Sequence, residues 1–152
     1  MKKFKFSLDS VLSYKQQVLD SLKGEHAAIL AQVREQEDVL EAVWQDYRDC
    51  NEEYRRRKLE GLTVADAMFY QNGLRVLEAE IERETARLEE LRKQEEAKRR
   101  QVVDAKIDTS SIEKLREHKL EDYNKAVQKA EENLIDEFVS SARSRSGAGA
   151  SA

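Results

Sequence analysis

The stretch LDSVLSYKQQVLDSLKGEHAAILAQVREQEDVLEAVWQDYRDCNEEY, residues 8–54, decides the fold. Alternating intervals of four and three land on Leu8, Leu12, Lys15, Leu19, Leu22, His26, Ile29, Val33, Gln36, Leu40, Val43, Tyr47, Cys50 and Tyr54. Eleven of those fourteen positions are apolar, and the interval never slips. A helix turns once in about 3.6 residues, so this spacing gathers apolar side chains into one narrow stripe. Sustained over about seven heptads, such a stripe marks a coiled-coil seam.

The flanking residues frame that helix. Ser7 can cap its start, Asp9 suits the positive end of the dipole, and Phe6 with Val11 fit a hydrophobic staple. Arg55-Arg56-Arg57-Lys58 places cations where a helix ends, and Gly61 follows as a left-handed stop. Thr63 with Asp66 resembles a capping box. These signals predict helix 1 over about 7–58, a turn at 59–63 and helix 2 over about 64–143. The second segment repeats the period through Ala67, Tyr70, Leu74, Leu77, Ile81, Glu84, Leu88, Leu91, Glu95, Lys98, Val102 and Ala105. Its seam turns polar at Glu84, Glu95 and Lys98, which predicts loose packing there. A short turn between two seams favours an antiparallel hairpin. One long parallel dimer interrupted at Gly61 is the alternative. Asp108-Thr109-Ser110-Ser111 is a poor helical run, read as a weak spot or heptad slip, and residues 144–152 read as a flexible tail.

Composition agrees with an all-α chain. Of the 152 residues 38% are charged, 7% are aromatic and none is proline, so the punctuation of sheets and loops is missing. No run approaches the roughly 18 apolar residues of a spanning helix, and the N-terminus opens no signal-peptide core. The net charge of −4 argues against nucleic acid, and the reading is of a soluble, cytoplasmic protein. The lone Cys50 and the distant His26 and His118 offer no disulfide framework or metal motif, so no cofactor is expected. There is no phosphate loop or nucleophile motif, and neither an enzyme nor a small-molecule substrate is expected.

Two surfaces remain after the seam is assigned. Helix 1 folding back from Gly61 reaches only to about residue 117, a paired length of roughly 75 Å. Beyond it Leu120, Tyr123, Val127, Ala130, Leu134 and Phe138 form a stripe with no partner in the hairpin, the mark of a docking surface. The bland alternative is a turn at 108–111 and a third helix folding back over that stripe. Around the predicted turn lie Trp44, Tyr47, Tyr54, Phe69 and Tyr70, with Trp44 and Phe69 off the seam. Aromatics offer contact area at low entropic cost, so this end is a second candidate contact surface.

The order of several short motifs adds to this. Phe4, Phe6 and Leu8 precede Val11-Leu12; Gly61-Leu62-Thr63 precedes Met68-Phe69-Tyr70-Gln71, then Leu77 and Ile81; Glu113-Lys114-Leu115, Tyr123 and Ile135-Asp136-Glu137-Phe138 follow. Residues 4 to about 140 thereby resemble the FliJ family, the coiled-coil component of the bacterial flagellar type III export apparatus. Gly73 departs from the aromatic or aliphatic residue often found there in the family. The resemblance implies a structure similar to the central stalk of rotary ATPases, inserted into the hexameric export ATPase and promoting its assembly. It further implies contact with the export gate, association with the apparatus at the inner membrane, and a part in cycling export chaperones. It implies that Leu120–Phe138 face the ATPase and that Trp44, Tyr47, Tyr54, Phe69, Tyr70, Gln71 and Leu77 face the gate. The alternatives are a non-flagellar type III secretion stalk and a self-associating coiled-coil scaffold.

Overall fold

A computed structural model describes residues 2–149. It holds two helices, α1 over Asp9–Glu60 and α2 over Val64–Ala148, and no strand among the described residues. Gly61, with φ of +100°, separates them, a conformation that glycine adopts without the Cβ clash other residues suffer. Thr63 caps α2: its Oγ1 accepts the Asp66 backbone N–H at 3.1 Å, satisfying one of the free donors of the first turn. The start of α1 differs from expectation. The helix opens with the Leu12 N–H on the Leu8 carbonyl at 2.8 Å, so Leu8, not Ser7, holds the cap position. With Leu8 as the cap, the two staple positions fall on Ser7 and Leu12, so Phe6 and Val11 do not hold them.

The chain divides into two compact units, Leu19–Asp104 and Met1–Val18 with Ala105–Ala152. Within Leu19–Asp104 the two helices pack antiparallel around the turn, with Leu19, Val33, Val43, Tyr54 and Leu88 as the buried apolar core. The parallel alternative is thereby excluded. The polar seam positions meet partners across this interface. Gln36, 5% exposed, donates its amide to the Glu84 carbonyl at 3.1 Å and to the Glu84 carboxylate. His26 Nε2 lies 2.9 Å from Glu95 Oε1, and the Lys98 ammonium lies 2.8 Å from Glu25. The loose middle expected from Glu84, Glu95 and Lys98 is instead a set of paired polar layers, because α1 supplies Gln36, His26 and Glu25 opposite them.

In the other unit α2 passes through Asp108–Ser111 without interruption. The Thr109 hydroxyl is buried and donates to the Ala105 carbonyl at 2.7 Å, and Ser111 donates to Ile107 at 3.0 Å. Hydroxyls bonded back one turn stay inside the helix rather than competing with it. The predicted weak spot is therefore continuous helix, and the third-helix alternative falls with it. The change of period comes later: the inward positions run Ile112, Arg116, Leu120, Tyr123, with steps of four, four and three. An eleven-residue step locally relaxes the supercoil that heptads impose. Lys15 faces Asp108 at 3.8 Å, and Arg116 pairs with Asp9 at 3.3 Å. α2 continues to Ala148, through most of the segment expected to be a tail, and Ser146 donates to the Arg143 carbonyl at 2.9 Å. Residues 150–152 of that segment lie outside those described.

Candidate interaction surfaces

The first surface surrounds the turn. Tyr54 is buried and stacks on Tyr70 with ring centroids 5.4 Å apart and planes 22° from parallel. The Lys58 ammonium sits 4.0 Å from the Tyr54 ring centre, and the Gln71 amide donates to the Tyr54 hydroxyl at 3.2 Å. Tyr70 donates to Glu53 at 3.1 Å. Partial burial raises the ionisation of its phenol above the ordinary range, and the hydrogen bond and negative charge of Glu53 add to the rise. Tyr47 donates to Glu78 at 3.4 Å, and Leu77 is half-buried. Five of the seven residues expected at this end, Tyr47, Tyr54, Tyr70, Gln71 and Leu77, are thus engaged within the hairpin.

Two present open apolar surface. Phe69 is 74% exposed, edge-on to Tyr70, and Trp44 is 40% exposed, edge-on to Tyr47. The sequence reading missed Leu59, Val64, Met68 and Val76, all more than half exposed. Leu59 and Val64 lie two residues before and three residues after Gly61, so apolar residues off the seam beside a turn were the available signal.

The second surface lies on the last third of α2 and the arm before α1. Tyr123 meets the Phe4 ring at 5.6 Å and donates its hydroxyl to the Lys2 carbonyl at 2.7 Å. The Arg116 guanidinium lies 5.7 Å from the Phe4 ring centre. Leu120, Tyr123 and Val127 are half-buried, Tyr123 by these contacts with the arm, whereas Ala130, Leu134 and Phe138 are exposed. The six-residue stripe splits into a half-buried part, in which Tyr123 receives the N-terminal arm, and an exposed part. The exposed half is wider than expected, because Ile135 and Val139 stand beside Leu134 and Phe138. A heptad stripe takes one residue per turn and so passes them over.

Among the described residues no group of three or more His, Cys, Asp or Glu is placed to hold a metal ion, and no helix is long and apolar enough to cross a membrane. The family model for the flagellar FliJ protein matches residues 4–148, spanning both helices, the turn and the arm from Phe4.

The chain belongs to the FliJ family.

That membership makes it a component of flagellar type III protein export. No curated protein and no solved structure matches it. The FliJ match covers both surfaces, the exposed Phe69 at the turn and the exposed Leu134 and Phe138 on α2.

Proposed function

We propose that this FliJ protein binds the hexameric export ATPase as a central stalk, using the exposed end of α2. The observation that carries the proposal is the run Leu134, Ile135, Phe138 and Val139, between 44% and 77% exposed among the described residues. Each large apolar side chain yields roughly 1.5–3 kcal/mol when fully buried, so a wall closing over this face gains several kcal/mol before the cost of association. Tyr123, Leu120 and Val127 contribute less, because they are already half-buried, Tyr123 against Phe4. Phe69 and Trp44, with Leu59, Val64 and Met68 beside the turn, contact the cytoplasmic part of the export gate. Export chaperones and a peripheral position at the inner membrane belong to the same reading.

Co-sedimentation with the cognate ATPase, with and without nucleotide, tests it. L134S/F138S should melt within a degree or two of the parent, since exposed substitutions shift stability by about 0.5 kcal/mol or less. It should lose the enhancement of ATPase ring assembly. Full enhancement by this variant would refute the ATPase face. A scaffold that self-associates through the same residues predicts instead a dimer of the isolated chain in sedimentation equilibrium, dissociated by the same substitutions.

A further inference from the structure

Residues 2–8 carry a pattern that neither the seam nor the export reading uses. Along Lys3-Phe4-Lys5-Phe6, ahead of the turn at Ser7 and Leu8, exposure alternates residue by residue: Lys3 and Lys5 are exposed, Phe4 is half-buried and Phe6 buried. A period of two is the signature of extended chain lying on a surface, with alternate side chains in and out. Phe4 meets Tyr123, and the Tyr123 hydroxyl holds the Lys2 carbonyl at 2.7 Å, so the inner face of the arm is fastened to α2. Its outer face carries Lys3 and Lys5, two residues apart and hence about 7 Å apart along extended chain. Among the described residues, Lys2, Lys3 and Lys5 form no ion pair, and the backbone N–H and C=O of Lys3, Phe4 and Lys5 form no hydrogen bond. Lys2, Lys3, Phe4, Lys5 and Tyr123 line an open cleft of about 660 Å³.

We propose that this arm is a docking strand for an extended acidic segment of a partner protein. The segment lies along residues 3–5, pairs its backbone with the free N–H and C=O groups, and sets carboxylates two residues apart against Lys3 and Lys5. Strand addition of this kind takes affinity from main-chain hydrogen bonds and specificity from alternate side chains. The arm enters the encounter already ordered, which removes part of the entropy cost that a free tail would carry. The inference stands apart from the ATPase reading, which rests on Leu134 and Phe138.

An extended polyanion fits less well. A basic-aromatic segment binds an anionic membrane by inserting its aromatics, but Phe4 and Phe6 are turned inward here. Three lysines alone raise membrane binding about fivefold each. Asp9, Glu117, Glu121 and Asp122, all exposed on the neighbouring helices of the same unit, would face the same anionic plane. A short peptide places its carboxylates locally and avoids them.

The test uses the full chain and a fluorescein-labelled peptide of alternating Glu and Val, read by fluorescence anisotropy at low salt. A peptide of the same composition, with its Glu and Val residues in separate blocks, is the control. The alternating peptide should bind more tightly than the block peptide. K3A/K5A should weaken it by about fivefold to tenfold, as expected for two exposed charge pairs. K114A/K119A, which removes two exposed lysines from α2 in the same unit, should leave it unchanged. Y123F, which keeps every charge but frees the Lys2 carbonyl, should weaken binding measurably. Circular dichroism verifies that each variant remains helical. Equal binding of the two peptides, or equal losses from the two lysine pairs, would overturn the proposal. So would co-sedimentation with phosphatidylserine vesicles that depends on Lys3 and Lys5 while the peptide fails to bind.

Discussion

Replacing Gln36 exposes how the polar layers contribute. Its side chain is 5% exposed and donates to the Glu84 carbonyl at 3.1 Å as well as to the Glu84 carboxylate. Q36L keeps the volume near that of the seam neighbours Val33 and Leu40 but removes both donors. A hydrogen bond to a charged group contributes about 1.5–3 kcal/mol, and a buried acceptor left without its donor costs a similar amount. Glu84 is half-buried, so its carboxylate recovers part of its hydration, and the net loss falls at about 1–1.5 kcal/mol. For a chain of this size that lowers the melting temperature by about 2–6 °C. Q36L/E84L removes the stranded carboxylate too and makes the layer apolar, in line with Ile81 and Leu88 along α2. Replacing buried polar partners together is often neutral or stabilising by about 1–4 kcal/mol, so the double variant should melt above Q36L and at or above the parent. Thermal melts at neutral pH, followed by circular dichroism for the parent, both single variants and the double, complete the cycle. If Q36L melts at or above the parent, or the double melts below both singles, the contact carries no coupling and the account of the layer is wrong.

Two further outcomes follow from the turn end of the hairpin. A Cβ at Gly73 would lie 3.8 Å from Cys50 Sγ, ordinary contact, so G73A should remove the helix-interior glycine penalty and raise the melting temperature by about 1–4 °C; a fall would mean that the two helices approach too closely for a methyl group. Spectrophotometric titration should show Tyr70 ionising above the ordinary value near 10.0, and Glu53→Gln should bring it down. Because the folded value is the higher one, its contribution to stability is present below the ordinary value and is lost as pH rises through the folded one.

The helices, the turn and its cap were legible because each rests on short-range physics. A seam at 3.6-residue spacing, a glycine free to take φ of +100° and a threonine hydroxyl three residues before the Asp66 N–H need no knowledge of the partner helix. Exposure of Leu134 and Phe138 was legible too, since α1 is too short to reach them. Other features depend on which residue stands opposite which. Glu84, Glu95 and Lys98 read as defects in one helix and become pairs only when the hairpin sets Gln36, His26 and Glu25 across from them. Continuity through Thr109 and Ser111 rested on hydroxyls bonding back one turn, a choice settled between helix and cap geometries that the same residues support. The arm was hidden for another reason. Its period of two spans too few residues to stand out beside a long heptad helix, and it acquires meaning only where Tyr123 receives Phe4 and Lys2. Sequence alone determined the periodic elements, whose pattern repeats along one chain segment; tertiary structure decided the register, the paired polar layers and the half-buried part of the stripe, because those depend on contacts between residues far apart in the chain.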